Sequence, residues 1–108
     1  MEPSVARSPV LLTFGPALIE VGGVAQLTRG FNGAIPGPTI RTAPGERLRI
    51  TLHNTLFGDP SQPEEARLPF NDFKLFNTTT LHTHGLHVSP RAPADDVFLT
   101  VEPGASRT

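Results

Sequence analysis

Prolines and glycines interrupt this sequence at short intervals along its whole length. The chain of 108 residues contains 12 prolines and 10 glycines. Proline lacks a backbone donor and is excluded from helix interiors, and both residue types are favoured in turns. No stretch between them shows the 3.6-residue apolar period of an amphipathic helix. The spacing therefore predicts short strands joined by turns, in an all-β fold.

The clearest strand signal covers residues 47–53. Leu48, Ile50 and Leu52 alternate there with polar side chains. This is the pattern of a strand with one face on a core and the other in water. A tight turn is expected immediately before it, at residues 44–46.

Weaker strand signals lie upstream, where the chain is divided by the pairs Gly15-Pro16 and Gly22-Gly23. Because both pairs favour turns, we expect each of them to end one strand and begin the next. A turn-rich connector follows at residues 32–38. The predicted strands are residues 10–14, 16–21 and 25–31, with a short extended piece at 39–42.

The second half of the chain alternates loops with two further strand candidates. Residues 55–77 form a predicted loop insertion, whose apolar end at 72–77 is expected to cover one end of the core. The threonine-rich segment 78–84 and the apolar segment 97–101 are predicted to be strands. Residues 106–108 follow without a closing strand.

These five or six strands predict a single β-sandwich domain over residues 1–108. A sandwich of this size usually has about seven strands, so we expect this one to be incomplete at its C-terminal end. The sheet would then keep open edges and an uncovered apolar face formed by Leu48, Ile50 and Leu52. We therefore expect the isolated chain to be only marginally stable.

Several functions are excluded by what the sequence lacks. It contains no cysteine, which rules out disulfides, zinc–thiolate sites, a cysteine nucleophile, iron–sulfur clusters and a blue-copper centre. The net charge is −1 and the nine basic residues are scattered, so we expect no nucleic-acid partner. No apolar run approaches the roughly 20 residues of a membrane span. Residues 1–17 lack the pattern of a signal peptide, so the compartment stays open.

Two histidines separated by one residue, His82 and His84, are the strongest candidate metal ligands. On a strand, residues two apart share a face, with Cβ atoms about 7 Å apart. At that separation, each imidazole suits one of two neighbouring metals better than both suit the same metal. Neutral imidazole binds copper, zinc, iron and nickel. Gly85 behind the pair leaves room for another group to approach closely.

The same pattern also fits two surface histidines, because a bare His-x-His is frequent by chance. Two imidazoles leave a coordination shell of four ligands unfilled. Asp95 and Asp96, in the loop after the pair, are the candidate carboxylates, although paired loop aspartates are more often simply solvated. His53 and His87 are interpreted as surface residues.

Four elements occur in order along the chain: NGAIPGPTI at residues 32–40, PGE at 44–46, LHTHGL at 81–86 and DDVFLTVEPG at 95–104. Their order and spacing resemble the first cupredoxin-like (plastocyanin-like) domain of the multicopper oxidases, the laccase-like family. The resemblance implies a Greek-key β-sandwich of the cupredoxin type that binds copper.

The resemblance also implies roles for individual residues. His82 would bind a type 2 copper and His84 a type 3 copper. Asp95 matches the aspartate that helps to move protons near the type 2 copper, while Asp96 takes the place of the residue after it. Members of the family oxidise phenols, amines or metal ions one electron at a time and reduce O₂ to water.

Partners are implied as well, because the copper cluster of the family draws its histidines from two domains. Only His82 and His84 of that set are found here, so further C-terminal domains or another cupredoxin-like domain would complete the cluster. The chain is expected to be inactive alone, and its reducing substrate stays open. The resemblance implies export to the periplasm or cell exterior. Two alternatives remain: a stand-alone copper- or zinc-binding module, and a structural cupredoxin-like sandwich with vestigial histidines.

Overall fold

All the regular secondary structure of the described residues is β. The computed structural model describes residues 4–57 and 75–108. These two ranges contain six strands and no helix, which confirms the all-β prediction. They therefore contain no helix that could span a membrane. The strands are β1 (Val5–Arg7), β2 (Val10–Val21), β3 (Val24–Phe31), β4 (Thr39–Arg41), β5 (Ile50–Asn54) and β6 (Ser106–Arg107).

The six strands form two sheets. A four-stranded sheet has the order β3-β2-β5-β6, and β1 pairs with β4 in a two-stranded parallel sheet. Within the larger sheet, β2 is antiparallel to β3 and parallel to β5. This arrangement is consistent with a small β-sandwich. The Greek-key connection of a cupredoxin-like domain stays a prediction.

β2 is continuous, which corrects the prediction that Gly15-Pro16 ends a strand. Both residues stay in the antiparallel ladder, opposite Gly30 and Arg29. The parallel pairing of β2 with β5 stops at Phe14. The missing N–H of Pro16 therefore falls beyond the last ladder bond on the β5 side, where a proline is tolerated.

The second predicted turn is confirmed. Gly22 and Gly23 have φ values of 58° and 80°, in the left-handed region that glycine adopts without steric cost. They form a two-residue loop between Val21 and Val24, which pair with each other. Such a loop is the commonest β-hairpin connection, and it fixes the register of β2 against β3.

The core lies against the middle of the four-stranded sheet. β5 begins at Ile50, later than predicted, but its faces are as predicted. Leu52 is 2% exposed, and Leu48 and Ile50 pack against the core while remaining partly buried. The buried cluster comprises Val10, Leu12, Phe14, Leu52 and Val101.

Residues 78–84 and 97–101 are not strands, and both predictions are wrong. Within the described ranges they share one isolated antiparallel bridge, in which Thr79 and Val101 exchange backbone hydrogen bonds of 3.1 and 2.7 Å. Beside the bridge, the Thr80 hydroxyl donates to a backbone carbonyl of the second segment at 2.6 Å. Side-chain hydrogen bonds of this kind compete with a regular ladder.

The C-terminal residues also differ from expectation. Ser106 and Arg107 form β6, which pairs antiparallel with β5 opposite His53 and Leu52. The prediction that no further strand follows residue 105 is therefore wrong. β6 extends the larger sheet beyond β5 at this point.

Most of the predicted loop insertion at residues 55–77 lies outside the described residues. The same holds for residues 72–74 of the segment expected to cover the core. In the described end of that segment, Leu75 and Phe76 are 55% and 41% exposed. That this segment covers one end of the core stays a prediction.

Candidate metal site

His82 and His84 lie side by side on the surface. Both are exposed and Thr83 between them is half-buried, so the side chains alternate as they would in a strand. The centroids of the two imidazole rings are 5.8 Å apart, and the ring planes meet at 85°. The structure thus brings together the two histidines selected from sequence, although the backbone that holds them is extended without belonging to a sheet.

Gly85 ends this extended segment in a turn. Its φ is 79°, a conformation that residues with a side chain rarely adopt. A Cβ atom at this position would meet no atom within 4 Å. Glycine is therefore required here by the backbone conformation, and no group of the described residues approaches it closely. The close approach of a ligand or another domain stays a prediction.

The carboxylate of Asp95 reaches the pair from the following loop. Its Oδ2 lies 2.8 Å from Nδ1 of His82. The loop turns back toward the histidines because the Asp95 amide donates to the Ser89 carbonyl at 2.9 Å. A guanidinium N–H of Arg107 also donates to the carbonyl of Ala94, at 3.2 Å. These bonds hold Asp95 beside His82.

The bond to Asp95 determines which nitrogen of His82 is available to a ligand. In the neutral imidazole, Nδ1 carries the proton that is donated to the carboxylate, and Nε2 is the nitrogen with the lone pair. Imidazoles that bind metals almost always donate their second N–H in this way, commonly to a carboxylate. The donation fixes the tautomer and raises the basicity of the ligating nitrogen.

Asp95 is well shielded from solvent, with 11% of its side chain exposed against 47% for His82. Burial acts to raise the pKa of the carboxyl, but the hydrogen bond from His82 and the nearby backbone amide of Thr83 hold the pKa below its usual value. Asp95 Oδ1 and Thr83 Oγ1 are buried and have no hydrogen-bond partner among the described residues. Asp95 is therefore an ionised group with an unused acceptor next to the histidines.

Asp96, His53 and His87 lie outside this site. The Asp96 carboxylate accepts a hydrogen bond of 3.1 Å from the backbone amide of Phe98 and so stabilises a turn. Nδ1 of His53 is hydrogen-bonded to the Ser106 hydroxyl, between β5 and β6, and His87 is exposed. The structure thereby separates two adjacent aspartates, one facing the histidines and the other closing a turn.

The donor set fits a copper ion in kind, because imidazole is a good copper ligand and His82 is oriented by a carboxylate. The number of donor side chains at the site is small. In residues 4–57 and 75–108, no group of three or more His, Cys, Asp or Glu side chains is placed to hold a metal ion. A complete coordination shell therefore needs ligands in addition to those that these ranges provide.

An apolar groove with a volume of about 570 Å³ lies beside the site, and we call it the β5 groove. The lining includes Leu48 and Ile50, part of the apolar face that was predicted to be uncovered. Leu81, Leu86 and Asp95 also line the groove.

No model of a known protein family matches the chain. The likeness to multicopper oxidases therefore rests on the four sequence elements alone and stays a prediction.

Proposed function

We propose that the chain binds copper through His82 and His84, as part of an oxidoreductase that resembles the multicopper oxidases. The observation that carries this proposal is the hydrogen bond from His82 Nδ1 to Asp95 Oδ2, at 2.8 Å. A solvated surface histidine gains little from a shielded carboxylate, whereas a metal ligand gains orientation and basicity from one. The bond is therefore better explained by ligation than by a surface role.

The relation between the two rings supports separate roles for them. Their centroid separation of 5.8 Å and nearly perpendicular planes allow each imidazole to present a nitrogen to a different copper ion. His82 would then serve a type 2 copper and His84 a type 3 copper. When bound, copper supplies the one-electron transfers that reduce O₂ to water.

Asp95 has two parts in the proposal. Through Oδ2 it holds the ring of His82 and keeps the lone pair on Nε2. Its Oδ1 is a buried acceptor with no hydrogen-bond partner among the described residues, and a proton relay needs an acceptor of this kind. The lowered pKa keeps the carboxylate ionised and ready to accept.

The remaining copper ligands would come from further domains of the same oxidase or from another cupredoxin-like domain. The exposure of both histidines leaves them accessible to such a partner. We accordingly expect the 108-residue chain to show no oxidation of a phenolic dye, with or without Cu(II). Turnover by the pure chain would contradict this division of the site.

Electron paramagnetic resonance of the Cu(II)-loaded chain tests the proposal. We expect hyperfine coupling from imidazole nitrogen that disappears in the double variant His82→Ala/His84→Ala. His87→Ala is the matched control, because it removes another exposed histidine of the same segment and should leave the spectrum unchanged. A spectrum that changes in the His87→Ala variant and not in the double variant would contradict the proposal.

Calorimetry of the same variants separates the remaining alternatives. One-to-one binding to the isolated chain with Kd below about 1 μM, abolished by His84→Ala, would indicate a stand-alone metal-binding module. Absence of metal uptake, together with unchanged stability of the double variant, would indicate vestigial histidines. Weak binding that requires both histidines is the result expected for part of a larger site.

A further inference from the structure

β3 forms one edge of the four-stranded sheet. Its strand partner in the described part of the chain is β2 alone. β3 has eight residues, contains no proline, and carries a single charge, at Arg29. Edge strands of soluble proteins are normally protected by lysines, prolines, bulges or short length. β3 has none of these protections over residues 24–29.

The hairpin register shows which backbone groups of β3 face outward. Val21 and Val24 flank the two-residue turn and therefore form a hydrogen-bonded pair. Because hydrogen-bonded and non-bonded pairs alternate in an antiparallel ladder, the outward-facing N–H and C=O groups belong to Ala25, Leu27 and Arg29.

The far end of the strand agrees with this assignment. Phe31, next in the same series, exchanges hydrogen bonds of 3.1 and 3.2 Å with Ala34 on its outer side. Its outward groups are thus satisfied within the chain. Those of Ala25, Leu27 and Arg29 take part in no backbone hydrogen bond of the described residues beyond the hairpin.

We propose that β3 pairs antiparallel with β3 of a second copy of this chain, centred on Leu27. In that register Leu27 faces Leu27 of the second copy, and Ala25 faces Arg29. All three are outward-facing residues, so each pair exchanges both of its backbone hydrogen bonds. The two sheets become one continuous sheet around a two-fold axis.

The side chains of the hairpin fit this register through an apolar row. Leu18 of β2 is paired with Leu27 of β3, and the two are 69% and 76% exposed. In the dimer they form a row of four leucines across the four central strands. Cross-strand apolar pairs of this kind stabilise sheets, and the row reduces the exposure of both leucines of each copy.

Charge complementarity selects the Leu27-centred register. Ala25 is paired with Glu20 within its own hairpin, so Arg29 of one copy shares a row with Ala25 and Glu20 of the other. The alanine side chain is small, and Arg29 can extend over it toward the carboxylate on the next strand, roughly 10 Å away between Cα atoms. The contact occurs twice by symmetry. A shift of two residues would replace Ala25 by Leu27 or Gly23 and lose it.

Sedimentation of the 108-residue chain over a range of concentrations tests the proposal. We expect a monomer–dimer equilibrium that Leu27→Lys abolishes, because two ammonium groups would then meet at the two-fold axis. Leu11→Lys is the control, since it adds the same charge at an exposed position of β2 away from the edge. Circular dichroism checks that both variants keep the β fold. A chain that stays monomeric, or a dimer indifferent to Leu27→Lys, overturns the proposal.

A charge reversal tests the register itself. Arg29→Glu should weaken dimerisation about tenfold, because two attractive pairs become repulsive, and adding Glu20→Arg should restore it. Arg29 also donates to the Asn77 side chain at 2.7 Å. Rescue by the second substitution separates the contact between copies from the loss of that bond, and failure of the rescue overturns the register.

Amide hydrogen exchange gives a readout for each residue. The amides of Ala25, Leu27 and Arg29 should gain protection as the protein concentration rises. Those of Gln26 and Thr28, which face β2, should be protected at every concentration. Protection that rises equally at all five positions would overturn the proposed edge pairing.

Discussion

The β2–β3 hairpin and the segment that carries the histidines have similarly strand-like sequences, but only the hairpin forms a ladder. β2 continues through Gly15-Pro16, a pair that favours turns, because β3 faces it along the whole hairpin. Residues 78–84 are rich in threonine, and yet they share a single bridge with the segment around Val101. The difference teaches that strand propensity is expressed only where a neighbouring backbone offers a matching row of donors and acceptors.

The two regions also differ in how they are held in place. The base of the hairpin packs apolar side chains into the core, whereas the histidine segment and the segment bridged to it contribute Leu81 and Val101 to the core and are otherwise attached by hydrogen bonds. The main attachment is Asn54, which is fully buried at the end of β5. Its side chain donates to the carbonyls of Asn77 and Val101 at 2.6 and 3.0 Å.

The largest effect is expected in the packed region. Leu52→Ala should lower the free energy of unfolding by about 2–5 kcal/mol, because it leaves a cavity in the core beneath β5. Urea denaturation measures the change. Leu11→Ala, at an exposed position of β2, should cost no more than about 0.5 kcal/mol. Equal costs for the two variants would show that the core is not where the structure has it.

The second largest loss of stability is expected when the attachment of the histidine segment is removed. Asn54→Ala removes both donated bonds and the bond that Asn54 Oδ1 accepts from the Leu56 amide at 3.0 Å. Leaving these buried groups unpaired should cost about 2–3 kcal/mol. Amide exchange should accelerate at residues 78–101 more than in the hairpin. Uniform acceleration would mean that the two regions are not held separately.

Within the histidine segment, Asp95→Ala should weaken Cu(II) binding about ten- to hundredfold, because His82 loses the carboxylate that orients it. Competition titration with a chelator measures the affinity. Asp96→Ala is the matched control, since it removes the neighbouring carboxylate that bonds only to a turn amide. Equal losses from both variants would point to a general charge effect instead of orientation.

The smallest effect is expected at the side-chain bond beside the bridge. Thr80→Val keeps the shape of the side chain but removes its 2.6 Å bond to the Leu99 carbonyl. We expect a loss of about 1 kcal/mol in local stability, seen as faster amide exchange at residues 97–101. Thr100→Val, at an exposed threonine nearby, should change little. Unchanged exchange in the Thr80→Val variant would show that this bond contributes nothing measurable beside the bridge.

Much of the fold could be predicted, because its signals are local. The alternation of Leu48, Ile50 and Leu52 gave the faces of β5, and Gly22-Gly23 gave the hairpin turn. The failures concern pairing, which joins residues distant in sequence. Nothing near Gly15-Pro16 indicates that β5 ends at Asn54, and nothing in residues 78–84 indicates that no strand of the described residues lies beside them.

The predictions for the candidate site divide in the same way, into local features that the sequence indicated and contacts that it did not. The adjacency of His82 and His84 could be predicted because an extended backbone places alternate residues together. The contact of Asp95 with His82 could be suspected only from the family resemblance. Its choice over Asp96 depends on the path of the loop after His84, which is set by hydrogen bonds such as that to the Ser89 carbonyl.

The buried amide of Asn54 makes the sheet and the histidine segment parts of one equilibrium. A ligand that binds only when residues 77–101 are ordered stabilises that ordered state, which includes the Asn54 bonds to β5. Metal uptake by the histidines would therefore raise the melting temperature of strands that never touch the metal. By reciprocity, any partner that stabilises β5 would raise the affinity of His82 and His84 for their metal ion.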